Sequence, residues 1–594
     1  MARFNVAKKP KPISIDKFLG INESVGETEI QIGEAIVCRN FNITPNYKPR
    51  KRDGRLTYHD EVQPTKVIQG MWQGKIASVP VIIFACNGNI RRKVISTGNV
   101  TTIGTMTDAR TRMFYFQNKL FLQNGSQVKY YDGTTFGDIT SIAYTPTVAG
   151  GGNPLGVGVV IMEQINLISG KKKQDFVGNA TTTYNLVESG LDATLLTATL
   201  DGVAKAETTH FTVVRSTGVV TWLTAPPTAS KVTIEWEKAN AANVSLVLNN
   251  TANAVFGPGN DTTVFLWGNP DAKNRRTYSS TNNAMYWPAN NFTDIGNGQY
   301  AITDMQPQQG VQTIWTEDKA YFSVPELAIA PLEGYIYPVY DLNEAIGNVC
   351  FDGVQVIRNN PVSLYGRTVW EWLSTSVKNE RNVSDKGTRM AVSFDNIDFT
   401  KAVTFDYQKR QELWINVDAI VYIWNYGNDT WYIYDNITAN CFLEIDGMVY
   451  YGTKDGKIER FEGRHDNGVA INAVWKSGFV DFGAYEYKKN SKEMWVSIQP
   501  ESRTSITVKC PTNRMNEYDP NIKTFSKRYV LFDFAAIDFN DFSFDTNRNP
   551  QVFKLRINAK NYSFIQFIMS NNEIDESLII LGFKVACETN SLVR

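Results

Sequence analysis

The residue types that usually carry chemistry are sparse and widely spaced in this chain. His59, His210 and His465 have no Cys or His neighbour at ligand spacing, so a zinc site of the ordinary kind is not expected. Cys38, Cys86, Cys350, Cys441, Cys510 and Cys587 form no CxxC pair, which reads as buried, reduced thiols. No GxGxxG, GxxxxGK(S/T) or GxSxG occurs, and Gly150-Gly151-Gly152 and Gly156-Val157-Gly158 lack the strand-to-helix context that cradles a phosphate. Asp533, Asp538, Asp541 and Asp545 crowd several carboxylates together, but EF-hand spacing and its closing Glu are missing. That stretch reads as a solvated strand or loop. We therefore assign no catalytic, no cofactor-binding and no metal-ligating residue, and expect no enzyme.

One basic run stands out, Lys48-Pro49-Arg50-Lys51-Arg52-Asp53-Gly54-Arg55. It fits either a contact to DNA phosphates or acidic patches, or a solvated hairpin balanced by Asp53, Asp60 and Glu61. The second reading is preferred. Over the whole chain Lys+Arg and Asp+Glu are both 60, which argues against bulk binding of nucleic acid or anionic membrane. The start has no apolar signal-type segment, and no window approaches the roughly 18 apolar residues of a membrane span. Neither a signal peptide nor a membrane partner is expected.

The elements that would position any site are strands. Glu412 to Val417, Val421 to Tyr426 and Trp431 to Tyr434 alternate apolar and aromatic residues with others, and Gly427-Asn428-Asp429 and Asp435-Asn436 supply turns. Val449 to Phe461 forms a hairpin about Asp455-Gly456, and Val79 to Ile95 one about Asn87-Gly88-Asn89. Similar units recur at 114–133, 264–287, 311–324 and 354–372. Four short strands in series, at about 40 to 50 residues per unit, are the pattern of propeller blades. At 594 residues the chain exceeds one core.

Between those units lies 144–250, opened by Ala149-Gly150-Gly151-Gly152-Asn153-Pro154 and rich in Thr, Ala and Val. Strands at about ten-residue spacing there describe a small β-sandwich spliced in through a loop. After Gly463 the pattern shifts to cleanly alternating strands, a second sandwich. The expected fold is all-β: a β-propeller with an inserted small β-sandwich domain and a C-terminal β-sandwich. The expected domains are an arm and lead-in over 1–60, first blades over 61–143, the insert over 144–250, further blades over 251–465 and the C-terminal sandwich over 466–594. Residues 1–16, with Pro10 and Pro12, form either an arm that grips a neighbouring subunit or a free terminus.

Two stretches carry a resemblance. Phe18-Leu19-Gly20-Ile21-Asn22, then Gly33-Glu34-Ala35, Arg39-Asn40-Phe41 and Arg52-Asp53-Gly54 resemble the N-terminal segment of tail-nozzle and DNA-stabilisation proteins of tailed bacteriophages. Trp475-Lys476-Ser477-Gly478-Phe479-Val480-Asp481-Phe482-Gly483 followed by Lys492 to Ile498 is similar to the C-terminal part of the same proteins. The insert resembles small add-on sandwiches of phage tail proteins. The resemblance implies a structural virion protein: a ring-forming nozzle subunit, a hexamer by family, that retains packaged DNA and forms part of the ejection conduit. It also implies portal, adaptor or other tail proteins as partners, no cofactor, and assembly in the host cytoplasm into the neck or tail. The balanced charge suits a lumen that passes DNA without gripping it. The alternatives are a tail-tip receptor or carbohydrate-binding propeller, with Trp287 or Trp370 stacking on sugars, and a propeller glycosidase with two converging carboxylates.

Overall fold

The computed structural model describes residues 11–61, 66–259, 261–328, 334–374, 382–501, 503–515, 517–519, 522–531 and 546–592. The carboxylate cluster at Asp533 to Asp545 lies outside them. The chain is all-β, with 51% strand and 5% helix.

Its backbone pairing resolves, among the described residues, into seven antiparallel meanders of four strands. The first comprises Ile68–Ile76, Val79–Cys86, Asn89–Val94 and Val100–Thr105. The sixth comprises Val403–Tyr407, Glu412–Val417, Ile420–Asn425 and Thr430–Asp435. In the seventh, Ala439–Ile445, Met448–Thr453 and Lys457–Phe461 are joined by Arg55–Asp60, so its fourth strand comes from the far end of the sequence. The chain divides into two compact units, one of Met1–Ile68, Gly353–Leu373 and Val383–Arg594, the other of Gln69–Asp352 and Ser374–Asn382.

Within the second unit, consecutive meanders share cores. Ile83 of the first packs in one cluster with Leu120 and Leu122 of the second. Phe121 of the second meets Val264 and Leu266 of the third, and Phe265 and Trp267 of the third meet Met305 and Ile314 of the fourth. Inner strands are therefore covered on both faces. Residues 147–237 of this unit form a six-stranded sheet and a three-stranded sheet. Phe176, Tyr184, Phe211, Trp222, Val232 and Trp236 from both sheets make their own core. A short helix follows, Ala241–Leu248, capped by the Asn240 side chain, which accepts from the Ala242 amide.

In the first unit the sixth meander continues sideways. Ala35–Arg39 pairs in parallel with Thr430–Asp435 and antiparallel with Ala473–Ser477, extending it to a nine-stranded sheet. Lys11–Ile15 pairs along Ile579–Leu592 in an eight-stranded sheet. That part of the N-terminal arm is a strand of its own chain. The alternation seen in Glu412–Val417 does not divide core from solvent, because all six residues are buried. The polar ones are satisfied internally: Glu412 accepts from Trp414 Nε1 and the Tyr432 hydroxyl, each at 2.8 Å, and Asn416 donates to the carbonyl of Ile437 at 2.9 Å.

Candidate functional site

The basic run is not the solvated hairpin expected from its sequence. Arg52 and Asp466 are 1% and 5% exposed and meet through two parallel contacts, Nη1 to Oδ1 at 2.9 Å and Nη2 to Oδ2 at 2.6 Å. Such a fork holds both partners in one plane. The third donor of Arg52, Nε, reaches Asn40 Oδ1 at 2.9 Å. Asn40 in turn donates to Asp435 Oδ1 at 2.6 Å and to the Asn472 carbonyl at 2.8 Å. Asn40 has φ of 55°, a left-handed conformation that Asn tolerates better than most residues. The run is buried because 35–51 enters the sheets beside 430–435 and 473–477, carrying its cations inward with it.

Two other cations of the run, Arg55 and Lys51, are also engaged internally, whereas Arg50 is 36% exposed with its carboxylates at 3.7 Å. Arg55 Nη1 donates to Glu459 Oε2 at 2.7 Å across the seam between its strand and Lys457–Phe461. Glu459 also accepts from the Tyr451 hydroxyl and, at 2.8 Å, from Asn467. Asp53, which the sequence suggests as a local counterion, is held by Arg410 of the sixth meander. Lys51 donates to Asn571 Oδ1 at 2.5 Å and to the Glu573 carbonyl at 3.0 Å. Burial lowers its ammonium from 10.5 to about 8, against the opposing pull of Glu576.

Four glycines of the two resembling stretches serve the same joint. A Cβ on Gly20 would stand 2.5 Å from the Trp431 carbonyl oxygen, on Gly33 2.4 Å from that of Lys17, on Gly54 2.2 Å from that of His465, and on Gly478 2.4 Å from that of Glu27. Phe18 packs edge-on against Trp475 with ring centroids 5.1 Å apart. Segments that the sequence places more than 400 residues apart are thus one packed body.

Two cavities flank the joint. One of about 430 Å³ has Arg50, Arg464, His465, Glu501 and Asp575 among its walls. Its carboxylates already face cations: Glu501 lies 3.7 Å from Arg50, and Glu576 accepts from Arg528 at 3.2 Å. The other, of about 210 Å³, is walled by Tyr407, Trp414, Tyr434 and Phe461 with Lys409 and Arg410.

The histidines are dispersed. His59 faces Glu61 at 3.2 Å, His210 Nδ1 accepts from the Ala206 amide, and His465 Nδ1 accepts from the Gly468 amide. All six cysteines are free thiols, and burial pushes Cys350 and Cys510 up to about 12. Among the described residues no cluster of three or more His, Cys, Asp or Glu is placed to hold a metal, and no helix is long and apolar enough to cross a membrane. Trp287, a candidate for stacking on a sugar, is a core residue whose Nε1 donates to the Ala284 carbonyl at 2.9 Å. Trp370 is part-buried and donates to the Tyr365 carbonyl at 3.1 Å.

These features define an all-β protein of repeated four-stranded sheets with a buried ionic joint. No protein-family model and no curated protein matches the chain. Among solved structures it is similar to the Cps50 (Swd1) β-propeller domain of Myceliophteria thermophila, with 9% identity over 68% of this chain and 98% of that one at a TM-score of 0.24. It is similar also to the AfRom2 CNH domain, with 7% identity over 69% and 99% at 0.29. An exo-β-1,3-galactanase from Phanerochaete chrysosporium shares 8% identity over 81% and 96% at 0.18. Likeness at this level carries no activity across.

Proposed function

We propose that the chain is a structural protein of a tailed-bacteriophage virion, a ring-forming subunit of the neck or tail nozzle that retains packaged DNA and lines part of its exit path. The observation that carries this reading is the joint. The two stretches that resemble nozzle proteins are the two halves of one packed body, joined by Phe18 on Trp475 and by glycine-permitted backbone contacts. Their residue types are used for rigidity, with the cations of the basic run bound to internal partners.

In this reading the seven meanders close into a propeller. The completion of the last meander by Arg55–Asp60, just ahead of the first in sequence, supports closure, since a closed ring of blades leaves only short, protected edges. Residues 144–250 form an inserted sandwich that meets a neighbour or the host surface, and the sheets of 466–594 with strands from 11–51 form the C-terminal sandwich. Homo-oligomers, a hexamer by resemblance, meet portal or adaptor proteins, and DNA passes without sequence recognition.

Electron microscopy of the purified protein, with mass photometry, tests the reading. A closed ring of about six copies is the expected result. A monomer or trimer that retains host cell-wall glycans would point instead to a receptor-binding tail-tip protein, and turnover of a glycan panel to a glycosidase. Either result would overturn the nozzle.

A further inference from the structure

Beside the ionic joint a lysine, an asparagine and a glutamate are buried together. Lys51, Asn571 and Glu576 are 4%, 2% and 1% exposed. The strand Pro49–Lys51 lies along 578–579, where the Lys51 amide donates to the Leu578 carbonyl at 2.9 Å and Arg50 stands opposite Ile579. Asn571 ends the strand Ile568–Asn571, and Glu576 follows it in the loop that leads back to Leu578. This path sets all three side chains against one another. Lys51 Nζ donates to Asn571 Oδ1 at 2.5 Å. Asn571 Nδ2 donates to Glu576 Oε2 at 3.0 Å and to the Ser505 carbonyl at 2.9 Å, so the amide is held on both sides. Glu576 is fixed in turn by the Ser505 hydroxyl and by Arg528 Nε.

An amine held against a side-chain amide is a nucleophile beside an electrophile. Oδ1 is bonded to the Cγ that would be attacked, which puts Nζ within near-attack range of it. Burial lowers the Lys51 ammonium to about 8, with Glu576, Glu573 and Asp466 facing it as anions and Arg52 as a cation. About a tenth of the amine is therefore neutral at pH 7, and the neutral amine is the form that attacks a carbonyl. The nitrogen that must leave already touches a carboxylate able to pass it a proton. Lys51 and Glu576 also line the cavity of about 430 Å³, which gives ammonia a way out. Lys489 makes the contrast. It is as deeply buried, yet it donates to the backbone carbonyls of Ala484, Tyr487 and Ser563, with no side-chain amide among them.

We infer that Lys51 and Asn571 condense after folding into an intramolecular amide, with Glu576 as the proton carrier. The Nζ lone pair forms a bond to Cγ, and the bond from Cγ to Nδ2 breaks. A proton leaves Nζ for the Glu576 carboxylate and passes from there to Nδ2, which departs as ammonia. Nothing is oxidised or reduced, Glu576 ends as it began, and no co-reactant is needed. The product ties the lead-in segment to the C-terminal sheets across 520 residues of chain. The inference does not rest on the virion reading, because all three residues belong to the first unit of one chain. Freshly folded protein keeps the free amine, and its titration, until the step takes place.

Full-length protein held at about pH 7 and about pH 9, then digested with trypsin and read by mass spectrometry, tests it. The expected product is a branched peptide joining Lys51 to Asn571, lighter than its two parts by one ammonia. It should accumulate about ten times faster at the higher pH, following the neutral amine. A single cut between the two residues should then leave the pieces joined on a denaturing gel. Lys51→Arg should give no branched peptide, and Glu576→Gln, with circular dichroism matching the wild type, should form it about tenfold more slowly or not at all. Folded wild type without the branched peptide would overturn the link, as would ammonia lost only as a cyclic imide at Asn571. An undiminished rate in folded Glu576→Gln would overturn the role of Glu576. The wild type decides the link by itself, so a variant that fails to fold does not shelter it.

Discussion

The joint around Arg52 and four turns of the region 144–250 use glycine in opposite ways, although Gly178 and Gly218 of that region also stand where a Cβ would meet a carbonyl oxygen, at 2.3 and 2.1 Å. At the joint, Gly20, Gly33, Gly54 and Gly478 sit where a Cβ would meet backbone 2.2 to 2.5 Å away. In 144–250, Gly151, Gly156, Gly158 and Gly202 have nothing within 4 Å of the same position, and all have positive φ. The first set lets chain segments touch; the second only lets the chain turn. Apolar residues divide similarly. Phe18, Ile21 and Phe41 are buried, whereas Val157, Val160 and Ile161 of the hairpin in 147–161 are 69%, 61% and 73% exposed. The contrast teaches that one region's residues are fixed by its own packing, while much of the other's surface is free of such constraint.

That contrast can be broken by measurement. The largest effect is expected from Arg52→Met, which leaves the buried Asp466 with only Arg55, at 3.6 Å, and should cost about 3 kcal/mol in urea unfolding. Adding Asp466→Leu should recover much of it, because the unmatched charge is then gone. A loss below about 1 kcal/mol for the single variant would mean that the joint is not a stabilising centre.

Next comes pH. The folded-state value for Lys51 is depressed to about 8 from an ordinary 10.5. Between these values the unfolded chain binds the extra proton, so stability from this group rises with pH through that window. Below about 8 both states are protonated and the burial cost is borne in full. The difference in unfolding free energy between wild type and Lys51→Met should therefore shift in favour of wild type between pH 8 and 10.5, by at most about 3 kcal/mol. A flat difference would remove Lys51 from the buried set.

Glycine substitutions come third. Gly54→Ala, driven into the His465 backbone, should cost about 2 to 3 kcal/mol by overpacking. Gly156→Ala, strained only by its φ, should cost about 1 kcal/mol. Equal losses would erase the distinction between contact and turn. The smallest effect is expected for Val160→Thr with Ile161→Thr, within about 0.5 kcal/mol of wild type in the same assay. A larger loss would show that these side chains are packed after all.

The strands were legible where the local signal and the ladder agree. Asn87-Gly88 forms the expected hairpin, with φ of 52° and 71°. Other turns were hidden. Ala77-Ser78 adopts φ of 48° and 66°, and Gln117-Asn118 48° and 60°, conformations that neither pair advertises; the closing ladders of their hairpins impose them. The helix Ala241–Leu248 lay in a stretch read only for strands. The basic run gave the wrong environment because its partners are remote: Arg52 and Asp466 are 414 residues apart, and only sheet pairing brings them together. Nearby Asp53 does balance the run locally, lying 3.7 Å from Arg50, but it is held more closely by Arg410, 357 residues away.

The strand Arg55–Asp60 pairs with Lys457–Phe461, so an early part of the chain must wait for a late one. At roughly 5 to 20 residues per second of synthesis, the intervening stretch keeps that edge unpaired for tens of seconds on the ribosome. Folding of the seventh sheet is therefore a long-range closure that cannot begin until translation is well past residue 457. Any cut or internal start between 60 and 457 separates the two partners onto different pieces, and the later fragment would carry an open sheet edge ready to recruit another chain.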